Sequence, residues 1–224
     1  MIAHGLYSWV SPELREALLG KVAEWLAPEG IGYLSHNVYP GSYVRDAARA
    51  IGLKFARDNL DPEDTLKALR AVATAFSASI ASERPLAQAI KGELSRILAA
   101  SDSQVAHDWF EANNQPVHFG DFARHLERFG LTFLAESSLP PGAAQNSSNG
   151  QKLLARLARD VVKREACLDV LTCNAFRQSL VSQASALTTH RVDQTLIRSL
   201  SVGTSVSVEG AHQTPSGALG DLCR

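Results

Sequence analysis

The apolar positions near the start of the chain recur every three or four residues, which is the spacing of an amphipathic helix. The residues on this stripe are Leu14, Leu18, Val22 and Trp25 or Leu26. Ser11 and Pro12 precede them as a helix N-cap and a first helical residue. The pattern therefore predicts a helix that begins at Pro12 and ends at Pro28–Gly30, with a positive φ at Gly30.

A short strand is predicted on each side of this helix. Met1 to Ala3 is typical of a strand end that runs into the loop His4–Trp9, and the apolar run Ile31–Ser35 is followed by the turn His36–Gly41. In a parallel sheet both loops leave at the carboxyl edge, where open α/β sheets bind ligands. A sheet of two strands is marginal by itself, so the stability of the isolated chain is in doubt at this point.

The middle of the chain shows almost uninterrupted helical periodicity. The apolar positions of two amphipathic helices are Leu66, Leu69, Ala73, Phe76 and Ile80, and Leu86, Ile90, Leu94 and Ile97. Breaks are predicted at 59–61 and 82–85, and further helices at Gln104–Ala112 and Phe119–Phe129, the last one ending at Gly130. Leu131–Ala135 then predicts a strand.

The second half of the chain contains the best candidate for a linker, because residues 138–150 are rich in proline, glycine, serine and asparagine. After it we predict a helix over Gln151–Val170 and a strand over Phe176–Val181. A helix over His190–Leu200 and a weak strand over Val202–Val208 follow, and the polar tail 209–224 is expected to be disordered.

The expected fold class is mainly α with a small β component. Its predicted parts are a Rossmann-like remnant at 1–41, a helical domain at 42–137, the linker at 138–150, a small winged-helix-like region at 151–208 and the tail at 209–224.

Charge and cysteine content narrow the class of protein. Among 224 residues, 22 Lys and Arg balance 23 Asp and Glu, so no basic excess favours nucleic acid or an acidic membrane surface as the partner. Cys167, Cys173 and Cys223 are too few for a disulfide framework and form no C-x-x-C pair. No apolar run approaches the ~18 residues of a membrane span, and the start lacks a signal-peptide pattern, so a cytoplasmic location is expected.

Several sequence segments carry a family resemblance. They are Ile2-Ala3-His4-Gly5-Leu6-Tyr7-Ser8-Trp9-Val10-Ser11-Pro12, Gly30-Ile31-Gly32-Tyr33-Leu34-Ser35-His36-Asn37-Val38-Tyr39-Pro40-Gly41, His107-Asp108-Trp109-Phe110-Glu111, Asn114-Gln115-Pro116-Val117-His118-Phe119, Gly130-Leu131-Thr132-Phe133-Leu134-Ala135-Glu136 and Leu168-Asp169-Val170-Leu171 with Phe176-Arg177-Gln178-Ser179-Leu180. In this order they resemble class I S-adenosylmethionine-dependent methyltransferases that carry a methyltransferase regulatory domain, which include rickettsial protein lysine methyltransferases.

The chain also departs from that family. The glycine-rich loop after the first strand, the acid after the second strand and the third strand are expected upstream of Met1. Gly30 and Gly32 do not replace that loop, because they precede a strand instead of following one. His36 stands where the family usually has Tyr, and Cys173-Asn174-Ala175 replaces a basic stretch.

The resemblance implies an enzyme that transfers a methyl group from S-adenosylmethionine to a protein side chain such as lysine. The chain alone is expected to bind no cofactor and to be inactive, because the cradle for the methyl donor is missing. The alternative is a non-enzymatic helical interaction or dimerisation module that binds a second copy or a separately encoded cofactor-binding half. A third possibility is a decaying gene whose product hardly folds.

The candidate substrate-binding residues are those of the two predicted edge loops: His4, Tyr7, Trp9, Asn37 and Tyr39. A His or Tyr there can orient an amine or help to remove its proton. For Tyr7 and Trp9 the alternative is to fasten the loop to the following helix, and for Asn37 and Tyr39 it is turn formation. No catalytic residue and no metal site is identified.

Four further polar residues are given structural roles. His107, Asp108 and Glu111 lie about one helical turn apart and imitate a metal site, but solvated helix positions and caps are favoured. Arg177 is favoured as a structural ion-pair partner.

Overall fold

The computed structural model describes residues 1–56, 62–80, 83–111, 113–138 and 148–186. These residues form helices α1 to α8, a π-helical turn and strands β1 to β4. The helices are α1 Pro12–Trp25, α2 Ser42–Ala56, α3 Pro62–Ser79, α4 Pro85–Ala99, α5 Asp102–Val105, α6 Phe119–Arg128, α7 Ser148–Arg156 and α8 Val161–Thr172, with the π-helical turn at Ala106–Phe110; the strands are β1 Ile2–Ala3, β2 Gly32–Asn37, β3 Leu131–Glu136 and β4 Phe176–Gln183. The mainly α class with a small β component is confirmed.

One four-stranded sheet, with strand order β1-β2-β4-β3, organises the apolar core. β1 and β2 are parallel, whereas β4 is antiparallel to both β2 and β3. The expectation of an isolated two-strand sheet is therefore wrong, because β4 pairs with the full length of β2. The domain boundaries stay a prediction, but strands from three of the predicted segments share this sheet.

Two buried clusters hold the helices in place. α1 and α6 pack on the sheet through residues such as Leu19, Val22, Phe122 and Leu126. The second cluster joins α2, α3, α4 and the π-helical turn, and its members include Leu69, Ala73, Leu94, Ile97 and Trp109. The predicted stripes on α3 and α4 are confirmed except at Leu86, which is exposed at the start of α4.

The first helix differs from its predicted stripe. Leu14 and Trp25 are 59% and 65% exposed, and the buried positions are Arg15, Leu19 and Val22, followed by Leu26. The apolar periodicity of α1 fits two neighbouring faces, and packing against the sheet selects the one that carries Arg15. Ser11 is the N-cap as predicted, since its side chain accepts from the Leu14 amide.

The two glycines expected at helix ends behave differently. Gly130 has a φ of 67° after α6, as predicted. Gly30 does not have the expected positive φ, because α1 ends earlier, at Trp25. A side chain at Gly30 would meet the backbone of Ala27 at 3.0 Å, so close chain approach is what favours glycine there.

Two predicted helices are interrupted. The Gln104–Ala112 helix is replaced by α5 and the π-helical turn. The Gln151–Val170 helix is divided into α7 and α8, because Asp160 caps a new helix by accepting from the Lys163 amide. The predicted elements at 190–200 and 202–208, the tail and the break at 59–61 lie outside the described residues.

Across the described ranges, no helix combines the length and the apolarity that crossing a membrane requires.

Candidate functional site

The loops that follow β1 and β2 leave the same edge of the sheet, as predicted from the parallel arrangement. Ser8 of the first loop accepts a hydrogen bond from the Asn37 backbone amide at 2.8 Å. The Gly5 amide donates to Ser35 Oγ at 2.8 Å, and Gly5 has a φ of 67°. The two loops therefore form one hydrogen-bonded unit.

A cleft of about 490 Å³ opens beside these loops. Its lining residues are His4, Gly5, Trp9, Asn37, Arg45, His107, Asp108, Ala175 and Phe176. The structure thus brings together three of the five predicted substrate-binding residues, namely His4, Trp9 and Asn37. They meet side chains from α2, from the π-helical turn and from the start of β4.

The π-helical turn provides one wall of the cleft. The rings of Trp9 and His107 lie 4.4 Å apart, and His107 Nδ1 is 2.9 Å from Asp108 Oδ1. Single π-helical turns frequently mark functional sites, because the extra residue redirects side chains. Here the turn directs two consecutive polar residues to one cleft.

The His4 ring is held by side chains of β2. Its Nδ1 lies 3.1 Å from Ser35 Oγ and 3.2 Å from the Tyr33 hydroxyl. The ring is exposed to solvent and lies edge-on to Phe176 at 6.2 Å. His4 is thus an oriented, accessible imidazole at the mouth of the cleft.

Tyr7 lies away from this cleft, although it shares the loop with His4 and Trp9. It is buried, its ring packs edge-on against Phe122 at 5.2 Å, and its hydroxyl is 2.7 Å from His125 Nδ1. The Arg15 guanidinium lies over the ring at 4.6 Å. Tyr7 thus contacts α6 through Phe122 and His125 and α1 through Arg15.

Tyr39 also lies outside the cleft lining. Its hydroxyl donates to Asp46 at 2.7 Å, and its ring stacks on Tyr43 at 4.2 Å. Burial, together with the hydrogen bond to Asp46, raises the pKa of Tyr39 above its usual range. This tyrosine links the edge loop to the start of α2.

A single extended segment, residues 113–118, is bonded to both edge loops. The Gln115 amide donates to the Ser8 carbonyl at 2.9 Å, and the Asn37 side-chain amide donates to Asn114 Oδ1 at 3.2 Å. The Val117 amide donates to the Asn37 carbonyl at 3.1 Å. The helical part of the chain is thereby connected directly to the cleft.

Sequence reasoning missed four cleft residues as site residues: Arg45, His107, Asp108 and Phe176. His107 and Asp108 were predicted as solvated helix positions, and only the π-helical turn brings them to Trp9. Arg45 lies one turn into α2, where no local pattern distinguishes it from a surface cation. Among the described residues, no group of three or more His, Cys, Asp or Glu side chains is placed to hold a metal ion.

Arg177 lies at the centre of a buried ion-pair network, in agreement with the structural role favoured for it. Its guanidinium contacts Asp169 at 3.0 Å, Glu136 at 2.7 Å and Glu165 at 3.1 Å. Burial raises the pKa of Asp169, an effect that Arg177 opposes. The network ties α8 and β3 to β4 and does not line the cleft.

The comparisons with known proteins concern the fold and the family. Residues 101–183 match the family described as "Predicted methyltransferase regulatory domain". RP789 of Rickettsia prowazekii is 24% identical over 81% of this chain, and sll1526 of Synechocystis is 24% identical over 80% of it. The chain covers 33% and 36% of these two relatives, so it spans about a third of their length.

Two solved structures share the fold. Both are of PKMT2 from Rickettsia typhi, and one of them is in complex with AdoHcy. They are 24% and 23% identical to this chain, with TM-scores of 0.72 and 0.74. Each comparison covers 88% of this chain, and 37% and 38% of the PKMT2 chain respectively. The resemblance seen in the sequence is confirmed: residues 101–183 match the methyltransferase regulatory domain family.

Proposed function

We propose that the chain takes part in S-adenosylmethionine-dependent methyl transfer and that its cleft binds the methyl acceptor. The observation that carries the proposal is that two carboxyl-edge loops meet residues 101–183, which we call the regulatory segment, at one cleft. The AdoHcy complex of PKMT2 supports the choice of methyl donor for this fold.

The lining of the cleft suits an amine on a flexible side chain, such as lysine. Trp9 and Phe176 offer aromatic surface on which an ammonium group and its methylene stem can pack. Asp108 provides a carboxylate, and Asn37 a side-chain amide. These groups bind and orient the acceptor.

Methyl transfer needs the unprotonated amine, because the nitrogen lone pair attacks the methyl group in line with the bond that breaks. An accessible imidazole at the mouth of the cleft is suited to receive the proton that the amine loses. We assign this role to His4, whose Nδ1 is held by Ser35 and Tyr33.

Neither strand-to-helix loop, 4–11 or 38–41, carries the repeated glycines of a nucleotide-binding turn. We therefore propose that the chain supplies the acceptor side and the regulatory segment, and that by itself it neither binds S-adenosylmethionine nor transfers a methyl group.

The donor proposal is tested by calorimetric titration of the purified chain with S-adenosylmethionine, after circular dichroism has shown that it is folded. Absence of binding supports the proposal that the chain supplies the acceptor side and does not hold the methyl donor. One-to-one binding in the micromolar range contradicts it and indicates a different cofactor cradle.

The acceptor proposal is tested separately with a short lysine-rich peptide and its lysine-acetylated counterpart. Binding is expected for the first peptide and not for the second, because acetylation removes the charge. Asp108→Asn is expected to weaken binding about tenfold, the effect of ~1.4 kcal/mol. The control Asp64→Asn removes an exposed acid of α3 and is expected to have no effect. Equal binding of both peptides would contradict the proposal.

The second candidate function is an interaction module without enzymatic activity. The observation that favours it is the edge position of β1, which pairs with β2 alone among the described strands and whose Ile2 is 78% exposed. An uncovered strand edge is a pairing site for another chain. Sedimentation of the chain at increasing concentration tests for a second copy, and Ile2→Lys is expected to abolish self-association if this edge is the contact.

A further inference from the structure

A second cleft, of about 290 Å³, lies between α1 and α6. Its lining residues are Tyr7, Pro12, Arg15, Glu16, Val117, Asp121, His125 and Arg128. We propose that this cleft is an oxyanion site in which Arg15, assisted by Arg128, binds the carboxylate or phosphate group of a small molecule.

Arg15 is an unusual residue for the buried face of α1. It is 8% exposed and occupies the stripe that continues with Leu19 and Val22. Within the described residues its buried Nε has no hydrogen-bond partner, and its Nη2 makes only a long bond, 3.4 Å, to the Gln115 carbonyl. The guanidinium also lies over the Tyr7 ring at 4.6 Å, a contact that supplies no negative charge. A buried guanidinium is costly unless it is paired, so this one favours an anion as its partner.

The neighbouring acids are already engaged. Glu16 contacts Arg128 at 2.9 Å through Oε2 and His125 Nε2 at 3.1 Å through Oε1. Asp121 pairs with Arg124 on the next turn of α6. In the part of the chain that the structure describes, no carboxylate pairs with Arg15, which leaves a positive charge facing the cleft.

The Tyr7–His125 contact keeps the cleft in shape. The Tyr7 hydroxyl lies 2.7 Å from His125 Nδ1, and burial lowers the pKa of His125 in spite of Glu16. His125 Nε2 lies 3.1 Å from Glu16 Oε1, although this contact does not have hydrogen-bond geometry. Glu16 thus contacts His125 and Arg128, and within the described residues it forms no ion pair with Arg15.

The size and donor geometry of the cleft define the ligand class. Sites for drug-sized molecules begin at about 300 Å³, so this cleft has room for a small acid or for one group of a larger molecule. A guanidinium presents parallel N–H donors that match two oxygens of a carboxylate or a phosphate.

The test is thermal unfolding of the chain in sodium phosphate, in sodium acetate and in sodium chloride at equal ionic strength. A saturable rise of about 3 to 6 °C in Tm is expected at ten times the Kd of the better anion, relative to chloride. The anion that acts at the lower concentration identifies the group as phosphate or carboxylate. Equal Tm values in all three salts would overturn the proposal.

Substitutions test whether the anion-dependent rise in Tm comes from binding at this cleft. Arg15→Gln is expected to abolish the anion-dependent rise, whereas Lys21→Gln, which removes an exposed cation of the same helix, is expected to keep it. If Arg15→Gln does not fold, Arg128→Gln is measured instead, because the exposed Arg128 side chain tolerates substitution. Its loss should raise the apparent Kd for the anion several-fold. A rise that is unchanged in Arg128→Gln and in any folded Arg15 variant would overturn the assignment.

Discussion

The side-chain amide of Asn37 donates a hydrogen bond to Oδ1 of Asn114 at 3.2 Å, and both residues are buried. Asn37 ends β2, and Asn114 belongs to the extended segment before α6. This contact joins the carboxyl edge of the sheet to the part of the chain that matches the regulatory-domain family.

Asn114→Ala is therefore expected to destabilise the chain by about 1 to 3 kcal/mol, because it leaves the buried Asn37 amide without its acceptor. The measurement is urea unfolding followed by circular dichroism. Asn113→Ala, at the less buried neighbour, is the control and is expected to change stability by less than about 0.5 kcal/mol. Equal effects of the two substitutions would show that the Asn37–Asn114 contact contributes nothing.

Arg177→Met is expected to be far more damaging, with a loss of about 3 to 5 kcal/mol, because three buried carboxylates lose their common partner. Arg164→Gln removes a half-exposed guanidinium from one of the same carboxylates, Glu165, and is expected to cost at most about 1 kcal/mol. The two variants are compared by urea unfolding at neutral pH. A loss below about 1 kcal/mol for Arg177→Met would contradict the role assigned to the network.

Gly41 is expected to accept no side chain. A Cβ at this position would lie 2.3 Å from the Cys173 carbonyl oxygen and 2.6 Å from the Asn174 backbone. Gly41→Ala should therefore cost about 1 to 3 kcal/mol or more and should disturb the β2 loop. Gly92→Ala in α4, where nothing lies within 4 Å, is the matched control and is expected to stabilise the chain by up to about 1 kcal/mol. In thermal unfolding we therefore expect a lower Tm for Gly41→Ala and a higher Tm for Gly92→Ala than for the unchanged chain.

The pH dependence of stability should contain a contribution from His36. Burial lowers the pKa of this ring from 6.5 to about 3. Among the described residues neither ring nitrogen has a hydrogen-bond partner, and the ring stacks on Phe122 at 4.0 Å. Because the unfolded chain binds the proton more readily, the contribution is complete above pH 6.5 and is lost as the pH falls toward 3.

Between about pH 7 and pH 5 this loss amounts to about 2 kcal/mol. The measurement compares urea unfolding of the protein and of His36→Leu at both pH values. The variant is expected to lose less stability on acidification than the unchanged chain. Identical losses would show that His36 is not the group that titrates.

Local sequence patterns predicted most elements but not their partners. The apolar stripes of α3 and α4 were evident because helical spacing decides which side of a helix can be buried. The position of β4 between β2 and β3 was not evident from the sequence, since strand pairing depends on residues far apart in the chain. For the same reason Phe176 was predicted only as part of a strand, although it lines the cleft with His4.

The candidate site was predictable in part. His4, Trp9 and Asn37 follow strands, and parallel strands bring their carboxyl ends to one edge. Tyr7 has the same sequence context, but its ring enters the core, because the chain turns between Leu6 and Trp9, where the Trp9 amide donates to the Leu6 carbonyl. No local pattern distinguishes these two outcomes.

By itself, the sequence determined the helical and strand segments, the shared edge of the two loops and the family resemblance, because each depends on local spacing or on ordered motifs. Only the tertiary structure decided which face of α1 is buried, that the π-helical turn brings His107 and Asp108 to Trp9, and that Arg15 lies buried with no carboxylate paired to it in the described part of the chain. These outcomes depend on packing between distant segments, where shape and burial select one arrangement among several that local propensity allows.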